Sequence, residues 1–380
     1  MNIVLAPDSF KGSLTSTQAT SIMQRAIESL NQNHNIIQKP MADGGEGTVD
    51  ALLAASNGTK IPIECTGPLG DKITTYYAII DNNTAVMEVA NIAGLTQVPA
   101  HKRNPDNTTT YGLGEVMKNA LDRGCNSFII GLGGSATNDA GLGMLTALGM
   151  EAYDQHGNQV GIYGQDLKDI KYINFNNLDP RLKTTTIKVA CDVENPLTGE
   201  NGASAVYGPQ KGATPEQVAT YNQAMTSFSH LIEGTDNKLS STPGAGAAGG
   251  LGFAFLTLNA ELLSGAKLVG EASNVEAAIQ QADLVITGEG QSDKQTLQGK
   301  APGYIADLAS KNQVPAILIS GGLAGNLDAL LGKFSGCFSI INKPLTLEES
   351  MEQAEELLFQ QTKNVVNLMQ KRLRIGRMLK

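Results

Sequence analysis

Six carboxylates stand beside glycine or polar turns: Asp8, Asp43, Asp139, Asp192, Glu289 and Asp293. Few cations share those loops, namely Lys11, Arg103, Lys211 and Lys300. Glycine-rich stretches run among them, chiefly residues 131–135 and residues 244–250. Transfer of a phosphoryl group from a nucleotide uses this combination. Backbone N–H groups cradle phosphates, carboxylates hold Mg²⁺, one carboxylate orients the attacking hydroxyl, and a Lys or Arg offsets developing charge. Each carboxylate also has a plainer alternative, as a helix cap or a solvated loop residue.

The stretch SFIIGLGGSATNDAGLG, from Ser127 to Gly143, concentrates these features. Phe128, Ile129 and Ile130 predict a short strand, Gly131, Gly133 and Gly134 a turn, and Ser135 the N-cap of a helix. Such a junction aims backbone N–H groups at one point, where a helix N-terminus favours negative charge. Glycine lets the backbone approach a bulky anion and adopt positive φ. Asn138 and Asp139 are expected in the first helical turn, as polar groups for a substrate or a metal. An ordinary strand–helix turn accounts for the same residues.

Two other classes compete. Gly131, Gly133 and Ala136 satisfy a loose dinucleotide fingerprint, with Glu151 about twenty residues further on. That turn stands in an irregular part of the chain, however, and no hydride-transfer partner is evident. A non-catalytic sugar- or acid-binding module would leave the loop carboxylates idle. No Walker A sequence is present, because Lys300 and Lys333 are followed by Ala301 and Phe334, and no protein-kinase signature occurs.

The elements that must position these residues are set by a chain of 380 residues, long enough for two domains. Hydrophobic residues make up 41%, glycine numbers 42 and tryptophan is absent, which suits an α/β enzyme with many tight junctions. A formal net charge of -9 argues against a nucleic-acid partner. The late cluster Lys371, Arg372, Arg374, Arg377 and Lys380 reads as a solvated tail. Cys65, Cys125, Cys191 and Cys337 form no C-x-x-C pair and fit free thiols in a reducing cytoplasm. Four scattered histidines make zinc improbable. The N-terminal segment reads as a strand and not a signal peptide. The uncharged run from Leu239 to Ala260 is interrupted by Pro243 and glycines, so a loop and buried helix is expected there and no membrane span.

In chain order, residues 2–6 predict a strand, followed by a helix with Thr15 and Gln18 spaced as a capping box. Residues 35–39 predict a second strand running into Asp43-Gly44-Gly45. Residues 73–80 and 84–90 flank a turn signal and read as an antiparallel hairpin. Residues 186–190 form a strand ending in Cys191-Asp192, before a long loop, residues 195–214. From Asp283 a βα rhythm returns, with strands at 284–287, 315–320 and 338–341. A closing helix is expected to carry Leu347, Met351, Ala354, Leu358 and Val365 on one stripe. The prediction is a parallel, Rossmann-like or flavodoxin-like sheet domain from residues 1–62 and 281–380. A mixed α/β domain, residues 63–280, is inserted into it.

Taken together, the segments APDSFKGSL, MADGGEGTVDALL, TGPLGD, IIGLGGSATNDAGLGML, DPRL, VACDVENPLTGENGAS, YGPQKGAT, PGAGAAGGLGFAF and DLVITGEG resemble the bacterial two-domain glycerate kinase family. The resemblance covers essentially the whole chain. It implies a cytoplasmic enzyme that phosphorylates glycerate with ATP and Mg²⁺, giving 2-phosphoglycerate in preference to 3-phosphoglycerate. Where the family commonly has a basic residue after the GEG turn, this chain has Gln291.

Residue roles then follow from the chemistry. Gly133, Gly134, Ser135, Ala136 and Asn138 are expected to hold the nucleotide, helped by Gly246, Gly249, Gly288 and Glu289. Glycerate is expected between the domains, its carboxylate met by Lys11 and Arg103, with Ser9 and Asp43-Gly44-Gly45 around its hydroxyls. Closure of the domains over both ligands would exclude water. Asp192 is the first choice for the base and Asp43 the second, leaving Asp139 and Glu289 for the metal. The oligomeric state is left open.

Overall fold

The computed structural model describes residues 1–31 and 33–378, with side chains up to residue 370. The side chains of the basic cluster from Lys371 onward therefore lie outside the described residues. Two compact units emerge, one of Met1–Asp43, Asp50–Ser56 and Val269–Lys380, the other of Gly44–Val49 and Asn57–Leu268.

The first unit is built on a five-stranded, wholly parallel sheet. Its strands run in the order Gly336–Ser339, Ala316–Ser320, Leu284–Thr287, Asn2–Leu5, Asn35–Gln38. All four residues of Leu284–Thr287 and all five of Ala316–Ser320 are buried, the continuous apolar pattern of strands covered on both faces. Helix Ser16–Glu28 starts where its sequence signal lies: Thr15 Oγ1 accepts from Gln18 N, and Gln18 Oε1 accepts from Thr15 N. Ala19, Ile22, Met23 and Ile27 on its inner face join Leu357, Leu358 and Val365 of helix Ala354–Met378 in one core. Burial of each large aliphatic contributes about 1.5–3 kcal/mol.

The predicted closing helix is in fact two. Leu347–Glu352 has its own capping box at Thr346, and the chain leaves helical geometry at Gln353 before Ala354–Met378. Ala354, Leu358 and Val365 are buried as expected. Leu347 instead sits in the first turn of the short helix, 76% exposed.

The second unit has a six-stranded mixed sheet in the order Glu261–Leu263, Thr186–Ala190, Ser127–Gly131, Thr84–Glu88, Lys72–Ile80, Gly58–Thr66. The first four strands are parallel and the last two antiparallel. Gly58–Thr66 is a strand outside those expected, and it contains Pro62. Proline is tolerated on an edge, and this is the edge strand. It pairs with Lys72–Ile80 along its whole length, so residues 58–62 go with the second unit rather than the first. The other division falls after Leu268, earlier than residue 280. Among the described residues, no helix is long and apolar enough to cross a membrane.

Candidate functional site

Numbered along the chain, the sheet of the first unit has the order 2-1-3-4-5. Its switch point lies between Asn2–Leu5 and Leu284–Thr287. Open α/β sheets place ligands outside the carboxyl ends of the strands at that point. Here the two chains continue side by side beyond their strands. Ala6 N donates to Ile286 O and Asp8 N to Gly288 O, both at 2.8 Å, and Thr287 Oγ1 donates to Ala6 O at 2.7 Å. On the other side Met41 N donates to Pro7 O at 2.9 Å, bringing in the loop that ends at Asp43.

Three carboxylates and two lysines thus converge on one strand edge. Asp8 is only 7% exposed, and its Oδ1 accepts from Ser9 N at 2.6 Å. Burial, then the negative charge of Asp43 and of Glu289, push its carboxyl up to about 7, although the Ser9 N–H and Lys11 oppose the shift. Lys11 Nζ stands 3.3 Å from Asp43 Oδ2, and Asp43 holds the ammonium above its ordinary range. Glu289 Oε1 accepts from Ser292 Oγ at 2.9 Å and Thr296 Oγ1 at 2.7 Å, while its Oε2 lies 3.5 Å from Lys300 Nζ. The Gly288 turn has no room for a side chain, since a Cβ there would meet Ile319 O at 1.8 Å. Asp293 is a cap, accepting from Gln295 N at 2.7 Å. Gln291, at the departure from the family pattern, is exposed in a two-residue strand pairing with Gly322–Leu323.

The glycine turn of the second unit is arranged differently from expectation. Its helix is short, Leu142–Ala147, and starts only after Gly134, Ala140 and Gly141 have taken φ of 75°, 49° and 72°. Those left-handed residues break any helix beginning at Ser135. Asp139, not Ser135, satisfies the helix start: its Oδ1 accepts from Gly141 N at 3.1 Å and its Oδ2 from Gly143 N at 3.2 Å. The same Oδ2 accepts from Thr110 N at 2.9 Å and Thr110 Oγ1 at 2.7 Å. With four donors and no exposed surface, Asp139 is held in place as a structural carboxylate. Asn138, also fully buried, donates to Ser204 Oγ at 2.9 Å.

Of the expected cradle, Gly133 N is spent on Gly44 O at 3.2 Å and Ala136 N on Ala93 O at 2.8 Å. No partner is found among the described residues for the N–H groups of Gly134 and Ser135, and Gly134 is exposed. Gly44 and Gly45 pack directly on this turn, where a Cβ on Gly133 would fall 2.5 Å from Gly45 Cα. Gly246 and Gly249 are internal. Gly246 N donates to Asn195 O at 2.9 Å, and a Cβ on Gly249 would meet Thr137 O at 2.1 Å. This second run buttresses the loop before Leu142 and presents no open cradle. Arg103 is half-buried, with its Nε reaching Val98 O at 3.4 Å. Glu151 accepts from Asn174 and Asn177 in a local cluster, which removes the acidic residue of the dinucleotide fingerprint. Asp192 is exposed, and its Oδ1 accepts from Gly265 N at 2.9 Å, capping helix Gly265–Ala272.

The structure therefore gathers Ser9, Lys11, Asp43, Gly288 and Glu289 in the first unit. In the second it gathers Gly44, Gly45, Gly133, Gly134, Ser135, Ala136, Asn138 and Asp139. Two residues carry more than the sequence assigned them. Asp8 was one of six candidate loop carboxylates, with no role of its own. Lys211 was one loop cation among several, yet it is 2% exposed, with Nζ donating to Ser135 Oγ at 2.9 Å and Thr137 O at 2.6 Å. Among the described residues no group of three or more His, Cys, Asp or Glu could hold a metal ion.

A parallel sheet with carboxylates and lysines at its switch point, in a chain that also bears a glycine turn with unpartnered N–H groups, defines an α/β enzyme of the phosphotransferase class. The chain belongs to the glycerate kinase family, whose model matches residues 3–370. It is 42% identical to a glycerate kinase of Halalkalibacterium halodurans over 96% of this chain and 97% of that one. It is 40% identical to the glycerate 2-kinase of Escherichia coli, again over 96% and 97% of the two chains. A crystal structure from Salmonella typhimurium named for glycerate kinase 2 superposes with a TM-score of 0.89 at 40% identity, covering 98% of this chain and 99% of that one.

Proposed function

We propose that this chain transfers the γ-phosphoryl group of ATP, supplied with Mg²⁺, to glycerate, at the C2 hydroxyl in preference to C3. The observation that carries this reading is the convergence of Asp8, Lys11, Asp43 and Glu289 at the switch point in a member of the glycerate kinase family. The preference for C2 is supported by the Escherichia coli relative named glycerate 2-kinase. Asp8 takes the role of base, in place of Asp192. A base works best with a pKa near the operating pH, and burial beside two carboxylates puts Asp8 at about 7. Asp192, by contrast, is exposed and bonded to a helix start.

Lys11 meets the substrate carboxylate. Its pairing with Asp43 is largely exposed, so it is weak enough to be exchanged for a ligand. Ser9 and Asp43 face the hydroxyls. The turn at Gly133 to Ala136 takes the nucleotide phosphates through the N–H groups of Gly134 and Ser135. Mg²⁺ supplies charge neutralisation on the phosphates. It is taken to enter with the nucleotide, since Mg²⁺ is ordinarily held by one or two carboxylates together with the substrate's phosphates. The cysteines, all free, fit work in the reducing cytoplasm.

The test is a coupled assay of purified protein with ATP, Mg²⁺ and a panel of hydroxy acids, with ³¹P NMR of the product. ATP consumption dependent on glycerate and a 2-phospho product are expected. ATP consumption indifferent to glycerate overturns the reading.

A further inference from the structure

Lys211 ends a short turn, Pro209–Lys211, that follows helix Ala203–Tyr207. Gly212 follows it at φ +90° against the Arg103 backbone, where a Cβ would lie 2.1 Å from Arg103 O, so only glycine fits there. A buried ammonium normally faces a carboxylate. Lys211 has none within ion-pairing distance among the described residues, and the one charge acting on it is Asp139. Burial accordingly pulls the ammonium down to about 7. An ammonium has three hydrogens, and two are placed, on Ser135 Oγ and Thr137 O. Around it two more buried polar atoms are without partners, Thr137 Oγ1 and Asn138 Oδ1. The ammonium is thus buried without a carboxylate partner, beside a turn that keeps free donors.

The direction of that charge follows from Ser135. Its Oγ accepts from Lys211, so its own hydrogen is free to be donated elsewhere. The hydroxyl belongs to a buried residue next to exposed Gly134, and the N–H groups of Gly134 and Ser135 have no partner among the described residues. We propose that Lys211 is the buried cation of an anion site at this turn, a positioning residue that holds Ser135 toward the phosphate groups of a nucleoside di- or triphosphate. The inference rests on the reading that the turn takes nucleotide phosphates. It extends that reading to a residue in another part of the chain. Charge behind the turn strengthens each donor facing the anion and costs no exposed lysine that solvent would screen.

Binding of ATP, ADP and adenosine is measured by calorimetry on the full chain and on Lys211→Met, Ser135→Ala, the double variant and Gly134→Val, each checked by thermal melting. Lys211→Met is expected to weaken ATP and ADP about tenfold, with adenosine affinity and the KM for glycerate within about twofold of the parent. Ser135→Ala, small enough to fold even if Lys211→Met does not, loses about threefold or more. The double variant is no weaker than Lys211→Met, because both changes break one relay. Equal losses for ATP and adenosine, or unchanged ATP affinity in both single variants while Gly134→Val loses it, overturn the role of Lys211. Unchanged ATP affinity in Gly134→Val as well overturns the reading of the turn itself.

Discussion

Replacing Asp8 by Asn is expected to stabilise the protein at alkaline pH and to stop turnover. In the unfolded chain the carboxyl ionises at its ordinary value of 3.8, but in the folded protein only at about 7. Between those values the folded state holds a proton that the unfolded state has released, so stability falls as pH rises through that interval and stays reduced above it. A shift of about 3 units, at 1.36 kcal/mol per unit, gives about 4 kcal/mol. Asparagine keeps an oxygen for Ser9 N and never ionises, so the buried charge and its repulsion by Asp43 and Glu289 disappear. Urea unfolding should therefore show Asp8→Asn more stable than the parent at pH 8, with the difference vanishing toward pH 4. Turnover should fall by about two to four orders of magnitude with nucleotide affinity kept. In the parent, kcat/KM should rise with pH to a plateau above about 7. A variant that is no more stable than the parent at pH 8, or that turns over within a few-fold of it, refutes the reasoning.

Lys11→Ala should raise the KM for glycerate about tenfold or more with almost no change in the urea midpoint, since its partner Asp43 is reached by an exposed lysine; an unchanged KM returns Lys11 to solvent. Asp139→Asn should lower stability by about 3 kcal/mol, because one of the two acceptor oxygens shared by four buried donors becomes an NH₂. Its half-saturating Mg²⁺ concentration should stay that of the parent, and a raised Mg²⁺ requirement at unchanged stability would restore Asp139 as a ligand. Asp192→Asn should keep turnover within a few-fold, as expected of a helix-cap residue; loss of turnover in a folded variant would make it the base.

How much could be read from the chain depends on which interaction decides each position. Parallel strands buried on both faces announce themselves as short apolar runs, and the Thr15–Gln18 box marks a helix start by local chemistry alone. The glycine turn was found at its true place but given the wrong helix. Serine before a polar run is a good local cap, yet Ala140 and Gly141 are left-handed because Asp139 is fixed by Thr110, twenty-nine residues away. Asp8 and Lys211 show the same limit from the side of function. A lone aspartate after a strand looks like any other until Asp43 and Glu289 arrive beside it from distant segments. A lysine between glycine and proline-rich turns looks solvated until the turn at Ser135 closes over it. The edge strand Gly58–Thr66 lay outside the expectation and carries Pro62, a residue that edges tolerate.

The sheet of the first unit has a consequence for how the chain comes to be folded. Its first strand in sequence, Asn2–Leu5, pairs in parallel with the central strand Leu284–Thr287, and Thr287 bonds to Ala6 across 281 positions of sequence. During synthesis, Ile3, Val4 and Leu5, which end with no exposed surface, leave the ribosome long before the strand that covers them exists. The second unit, nearly continuous from Asn57 to Leu268, has all the strands of its six-stranded sheet by then. Translation thus favours completion of the inner unit while the outer one waits, half-made, with an apolar strand edge uncovered. Closing so long a loop is slow, and chaperone dependence and aggregation of nascent chains should concentrate in this interval. A circular permutant that begins near Val269 and joins the present ends would shorten it, because the five strands would then emerge in one uninterrupted run.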